Sequence, residues 1–319
     1  MNNLADLARR VRLLGDSSPY AYGVAVKFLE AGEEVLINAD YPFFLASIRK
    51  TPTMIAALQL VDAGQLDMDA VFTMQPRHRV TWGIVLGYLR EGLQLRLRDL
   101  LTLMIIISDS TATEMVLELV GGPAGVTAAM RRLGFAENDL NLTMDGHQQY
   151  EEVLGTLVGM TRAEEALWVR QHGMNLTGEI YREGSLANRG TARAVNRLYE
   201  MVFCGQAASR ASCEIALAIL KRQTDDFGLP SQLPAEVEVA HKTGTLHGVR
   251  NDSGIIYVGK HSHVAVTVLS RKRGTLTIAD VTGPAAVAEE AAANRTIGAI
   301  ARLVYEYALS DMNVHEEPR

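Results

Sequence analysis

Cysteine is almost missing from this chain. Cys204 and Cys213 are the two copies in 319 residues. They are too few for a disulfide scaffold and form no C-x-x-C, so a reducing compartment is the simplest reading. Long apolar runs are missing too: the longest, near Leu100 to Ile107, falls far short of the ~20 residues of a membrane span. There is no excess of positive charge. With 31 Lys+Arg against 37 Asp+Glu and a net charge of −6, the chain offers no footprint for nucleic acid or an anionic membrane. Its first ten residues, Met1 to Arg10, read as an amphipathic helix instead of a basic segment followed by an apolar one, so no targeting signal is expected. A Gly-rich loop that would cradle phosphate is absent. The eight histidines, His241, His247, His261 and His263 among them, lack carboxylates or cysteines at metal-ligand spacing. The expectation is a cytoplasmic protein with no cofactor and no metal, and with neither nucleic acid nor membrane as partner.

What is present is core-forming sequence. Hydrophobic residues make up 48% of the chain, enough at this length for one large domain or two modest ones. A helix over residues 3–14 leads into a predicted hairpin whose arms are Ala21 to Leu29 and Glu34 to Asn38, around Ala31-Gly32. From about Ser47 the period turns helical as far as Ala63, where Gly64 stops it. Helical patterns then dominate to about residue 205, over 97–107, 110–119, 123–132, 162–171 and 191–203, with a further helix near 207–222. Strand-like runs return at Glu236 to Lys242, Ser253 to Val258 and Val264 to Ser270, the last two joined by the turn Gly259-Lys260-His261-Ser262. An Ala-rich helix from about Ala285 to Leu309 follows. Strands near both ends with helices between predict an α+β fold: an antiparallel sheet assembled from both termini, with an inserted all-helical lobe. The α/β lobe takes residues 1–45 and 205–319 and the helical lobe 46–204. No low-complexity linker separates them, so a single domain is expected.

Three short elements carry chemistry. In Ser47-Ile48-Arg49-Lys50, residues three apart share a helical face, so the Lys50 amine can approach the Ser47 hydroxyl. A serine becomes a nucleophile when a base takes its proton, and lysine serves if burial or neighbouring cations disfavour its ammonium form. The ordinary alternative is a capping serine followed by a solvated lysine. Pro52 sits awkwardly for a long helix and belongs in its first turn. In Ser108-Asp109-Ser110, a polar triplet follows the apolar run Leu103 to Ile107; it can place a hydroxyl in a cleft, or simply cap the helix beginning near Thr111. Lys242-Thr243-Gly244-Thr245 ends a strand-like run, where glycine permits close approach and a strand edge presents N–H groups. Its alternative is a strand-end turn with an exposed lysine.

In their order and spacing the three elements together resemble the class A β-lactamase and penicillin-binding protein superfamily of serine hydrolases. The likeness extends to Leu60-Val61-Asp62-Ala63-Gly64-Gln65-Leu66 after the first element, to Leu97 to Leu119 around the second, and to Asn188-Arg189-Gly190-Thr191-Ala192. It covers most of the chain except residues 135–187. The resemblance implies a β-lactamase/transpeptidase-like fold and an acyl-enzyme on Ser47. It implies Lys50 as the activating base, Ser108 as the proton relay to the leaving group, and Lys242 as the group that orients that hydroxyl and attracts a substrate carboxylate. The oxyanion hole would be the backbone N–H groups of Ser47 and Thr245. Ser110, Thr243, Gly244 and Arg250 would contact the substrate, an ester, amide or β-lactam carrying a carboxylate. For Arg250 the alternative is a solvated arginine on a strand, and for His247 a contact with the cleft stays open.

Two departures limit the carry-over. The triplet reads Ser-Asp-Ser where the family has Ser-Asp-Asn, so Ser110 lacks carboxamide geometry. The family's Glu-x-x-Leu-Asn, whose glutamate activates the deacylating water, is missing. Glu183-Gly184-Ser185-Leu186-Ala187-Asn188 comes nearest with one residue too many, which makes Glu183 the candidate base and Glu151 and Glu152 further ones. A predicted extra helix around Trp168 can be a lid, a dimer contact or ordinary packing. Three readings follow: a serine hydrolase, favoured; a penicillin-binding or sensor-type protein that acylates without efficient turnover, or an acyltransferase; and a relict scaffold with an interaction role.

Overall fold

Val24, Val26 and Phe28 alternate with Ala25 and Lys27, and this period of two divides the sheet's surfaces between two cores. The molecule, a computed structural model, is described over residues 3–80, 84–155, 162–185, 187–281 and 283–315. In chain order its elements begin with helix α1 (Leu4–Asp16), strands β1 (Tyr20–Phe28), β2 (Glu34–Ile37) and β3 (Pro42–Phe44), a 3₁₀ turn (Ala46–Arg49) and α2 (Lys50–Asp62). Next come β4 (Val71–Thr73), β5 (Gln94–Arg96), α3 (Leu97–Ile106), α4 (Ser110–Leu119), α5 (Gly122–Arg132), β6 (Leu140–Asn141), α6 (Gly146–Leu154), α7 (Arg162–His172), β7 (Arg189–Thr191), α8 (Ala192–Phe203) and α9 (Arg210–Leu220). The last are β8 (Val239–Leu246), β9 (Val249–Gly259), β10 (Ser262–Lys272) and α10 (Gly283–His315).

The main sheet has the order β2-β1-β10-β9-β8. All its pairs are antiparallel, with β1 meeting β10 from Tyr20↔Lys272 to Phe28↔Val264. This is the α+β architecture expected, a sheet joined from the two ends of the chain. On one face Tyr20, Tyr22, Val24, Val26, Val264, Val266 and Val268 pack under α1 and α10. On the other, Ala25, Ala240, Ile255, Ala265 and Leu269 join the core that contains α2 to α5, α8 and α9. At its centre lies α2, buried without a break from Lys50 to Leu58, as a helix surrounded by others must be. Pro52 falls in its first turn, where a missing N–H leaves no ladder bond unmade.

The predicted elements differ from the structure in three places. Lys242-Thr243-Gly244 lies inside β8 instead of ending it, because the strand stays paired with β9 through Thr243↔Asp252 and Gly244↔Asn251. The long pattern from Ser47 splits into a 3₁₀ turn and a helix. In the region 135–187, α6 forms after an Asp145 cap, while residues 156–161 and Leu186 lie outside the described residues. Leu167 of α7 is half-exposed, not packed, and Trp168 stacks on His172.

Small sheets and single polar side chains fix the loop before α2. Asn188, fully buried with φ 41°, joins that loop to the segment before α6. Its carbonyl accepts from Leu45 N at 2.9 Å, its Oδ1 accepts from the N–H groups of Thr143 and Met144, and its Nδ2 donates to Met144 O. Asn188→Ala removes the acceptor shared by the Thr143 and Met144 N–H groups and the donor to Met144 O, at about 0.5–1.5 kcal/mol for each bond. Urea unfolding is expected to show a loss of at least that size, with an unchanged m-value.

Candidate active site

Serine 47 enters the 3₁₀ turn directly after Ala46, a non-glycine residue at φ 47°. That left-handed residue is held by its surroundings: Asn251 Nδ2 donates to the carbonyls of Phe44 and Leu45 at 2.9 and 3.2 Å. The edge strand β8 runs flush beneath. A Cβ on Gly244 would lie 2.7 Å from Leu45 O and 2.9 Å from Ile48 Cγ1, so only glycine permits this approach. As an edge strand, β8 turns alternate N–H groups away from β9 and toward the turn that bears Ser47.

Lys50 opens α2 and is 1% exposed. Its Nζ donates to the backbone carbonyl of Ser108 and lies 3.0 Å from Ser108 Oγ. Ser108 reaches it from a left-handed residue (φ 58°) between α3 and α4. Burial first, then the cations Lys242 and Arg49, push the Lys50 ammonium well below its ordinary range, with Asp109 and Glu114 opposing. Asp109 is fully buried. It caps α4 through Ala112 N and also accepts from Val85 N and Leu86 N at 2.8 and 2.9 Å. The capping alternative is thus correct for Asp109, and the same cap leaves Ser108 facing Lys50.

Between Ser47 and Lys50, Arg49 points the other way into a buried pair with Glu114 at 3.5 Å, and Glu114 Oε1 also accepts from Gly146 N. Burial raises the Glu114 carboxyl, Arg49 partly opposing. Lys242 is fully buried and donates to Thr243 O and Oγ1 at 3.0 and 3.3 Å. Burial lowers its ammonium to about 8 against the pull of Asp225 and Asp252.

Ser47, Ser108, Ser110, Thr243, Thr245, His247 and Arg250 line one cavity of about 840 Å³. A second, of about 50 Å³, is lined by Ser47, Lys50, Ser110, Thr245 and Gln149 of α6. The three elements that are far apart in sequence therefore meet at one cleft.

Two sequence-based candidates are placed otherwise. Glu183 is not at the cleft: it accepts from Tyr41 Oη at 2.7 Å and Arg271 at 2.8 Å, and lines a separate cavity with Tyr181 and Arg189. The extra residue in its motif leaves it on the surface. Glu151 is exposed, and Glu152 accepts from Glu179 N, so neither replaces it. Arg250 is at the cleft but its guanidinium is engaged, donating to the carbonyls of Leu246 and Val249 and pairing with Glu290 of α10. Sequence reasoning missed Asn251, Gln149, Asp225 and Glu290. Only Asn251 carried a signal, as a polar residue two positions from a run that reads as strand.

With this geometry, the kinship of the chain is definite. Residues 6–308 match the beta-lactamase enzyme family, and the chain belongs to it. Beta-lactamase VEB-1 of Pseudomonas aeruginosa is 23% identical over 257 residues, 77% of this chain and 76% of its own length. The beta-lactamase regulatory protein BlaB of Streptomyces cacaoi is 25% identical over 86% of this chain and 91% of its own. A crystal structure of a beta-lactamase from Chitinophaga pinensis superposes with a TM-score of 0.73 at 25% identity, over 95% of this chain and 99% of that one. Among the described residues no helix is long and apolar enough to cross a membrane.

Gly244→Ala forces Leu45 and Ile48 away from β8. Acylation of Ser47, followed by intact mass, is expected to slow at least a hundredfold. The overpacking itself costs about 1–3 kcal/mol of stability, which thermal unfolding measures separately.

Proposed function

We propose that the protein forms an acyl-enzyme on Ser47 from an ester, amide or β-lactam and hydrolyses it without a cofactor. The observation that carries this reading is the buried Lys50, its ammonium disfavoured, bonded to Ser108 and sharing a cavity with Ser47. A neutral amine has two N–H donors and one lone pair. With Ser108 O and Oγ as partners for the donors, the lone pair is left for the Ser47 proton. Ser47 Oγ then bonds to the carbonyl carbon while Lys50 Nζ takes its proton. The N–H groups of Ser47 and Thr245 stabilise the oxyanion, each such donor being worth about 2.7–4 kcal/mol. As the bond to the leaving amine or alkoxide breaks, Ser108 Oγ gives it a proton and recovers one from Lys50. Lys242, bonded to Thr243, adds positive charge to the site, and Ser110 and Thr243 meet the substrate.

A fluorophosphonate and a p-nitrophenyl ester test this. Both are expected to modify Ser47 in wild-type protein and neither in Lys50→Met; absence of any adduct on Ser47 refutes the reading. Because Lys242 loses its proton above about pH 8, acylation is expected to fall on the alkaline side of that value. Lys242→Arg, with a guanidinium that stays charged, is expected to move that limb upward.

A second reading, an acyl-enzyme that persists or passes to an acceptor other than water, is favoured by Gln149. Among the described residues no carboxylate lines the small cavity beside Ser47 and Lys50; an amide does. An amide can hold a water but cannot take its proton. A relative that bears the name of a regulatory protein is in keeping with such a role. Burst kinetics separate the two: one equivalent of product and then a flat line favours persistence, and sustained release favours hydrolysis. Gln149→Glu is expected to speed deacylation at least tenfold.

A further inference from the structure

The large cavity is bounded by more than the residues of the three motifs. Asp225, in the segment after α9, and Glu290, on α10, also face it. Each is already joined to a group that a substrate anion would use. Thr243 Oγ1 donates to Asp225 Oδ2 at 3.0 Å, and Lys242 Nζ lies 3.3 Å behind that same hydroxyl. The Arg250 side chain is 9% exposed, and its guanidinium is divided between two backbone carbonyls and Glu290 Oε2. His247 Nδ1 stands 3.8 Å from Glu290 Oε1, an oxygen that is buried without a hydrogen-bond partner.

The formal charges of the lining cancel. Arg170 and Arg250 are matched in number by Asp225 and Glu290. An incoming carboxylate would have to break the Arg250–Glu290 pair and leave Glu290, a carboxylate with one oxygen already unsatisfied, without its cation. Breaking a buried or half-buried pair in that way is strongly unfavourable. Apolar side chains fill much of the remaining wall, with Val169, Met174 and Val281 inside and Ile84 and Phe227 at 45% and 39% exposure. Such a wall favours an apolar ligand with few polar contacts.

We infer that Asp225 and Glu290 are built-in carboxylates that occupy the anion-binding donors of the cleft, so that the acyl donor it accepts is uncharged and apolar on its leaving-group side. This deepens the proposed acyl-enzyme chemistry and rests on the same cleft, and it replaces the carboxylate-bearing substrate that the motifs alone suggest.

The test uses two phenylacetate esters, of phenol and of 3-hydroxybenzoic acid, which differ only in one carboxylate on the leaving group. Their affinities for Ser47→Ala, which cannot be acylated, are measured by calorimetry. The neutral ester is expected to bind at least tenfold more tightly. Adding Glu290→Gln, which frees the Arg250 guanidinium, is expected to tighten the carboxylate ester at least fivefold and leave the neutral one within twofold. Asp225→Asn, releasing the Thr243 hydroxyl, is the second variant and is expected to act in the same direction. Equal or tighter binding of the carboxylate ester by Ser47→Ala overturns the inference, as does a ratio that neither substitution moves. Because binding is read without acylation, these outcomes stand apart from the labelling of Ser47, whose failure would count against the acyl-enzyme reading alone.

Discussion

A lysine amine sealed from water at the start of a helix is the constraint around which the rest is arranged. Lys50 is 1% exposed and has two other cations, Lys242 and Arg49, acting on it. A charged ammonium there would be costly, and the protein meets that cost by making the neutral form the comfortable one. The neighbouring Arg49 is buried in an ion pair with Glu114, and that carboxylate also holds the first N–H of α6. One ion pair thus keeps a permanent charge off the amine's own contacts and anchors the helix that brings Gln149 to the small cavity.

The second requirement is closeness. Ser47 depends on a strained turn held against an edge strand, with Gly244 as the point of contact and Asn188 and Asn251 gripping the preceding backbone. Neither asparagine faces the large cavity. They act on where Ser47 sits: Asn251 donates to the carbonyls of Phe44 and Leu45, and the Asn188 carbonyl accepts from Leu45 N, so the backbone entering the turn is held on both its donor and its acceptor side.

Much of this was legible in the sequence, and the limits have physical causes. Period-two and helical patterns located the terminal strands and the helices between them because burial on one face imposes those periods. The three motifs could be read because each is local, and the folded chain brings residues of all three to one cavity. The end of β8 was misplaced because Gly244 reads as a strand end, which pairing with β9 overrides. Glu183 was drawn to the site by near-spacing alone, and only the folded chain shows Tyr41 and Arg271 holding it elsewhere. Asp225 and Glu290 had no signal at all. They approach Thr243 and Arg250 from other segments, and nothing in either neighbourhood announces the meeting.

The pairing of β1 with β10 has a bearing on how the molecule comes into being. Residues 20–28 find their broadest neighbour at 264–272, with α2 to α9 between them. On a translating ribosome the first hairpin therefore waits with one flank unpaired while α2 to α9 are made, and the sheet closes only once β10 has emerged. Long-range closure of this kind is slow and leaves an adhesive strand uncovered in the interval. Lys27, which bonds Glu34 and Glu200 in the finished protein, places a charge on that waiting strand, the sort of feature that discourages neighbouring nascent chains from adding to it.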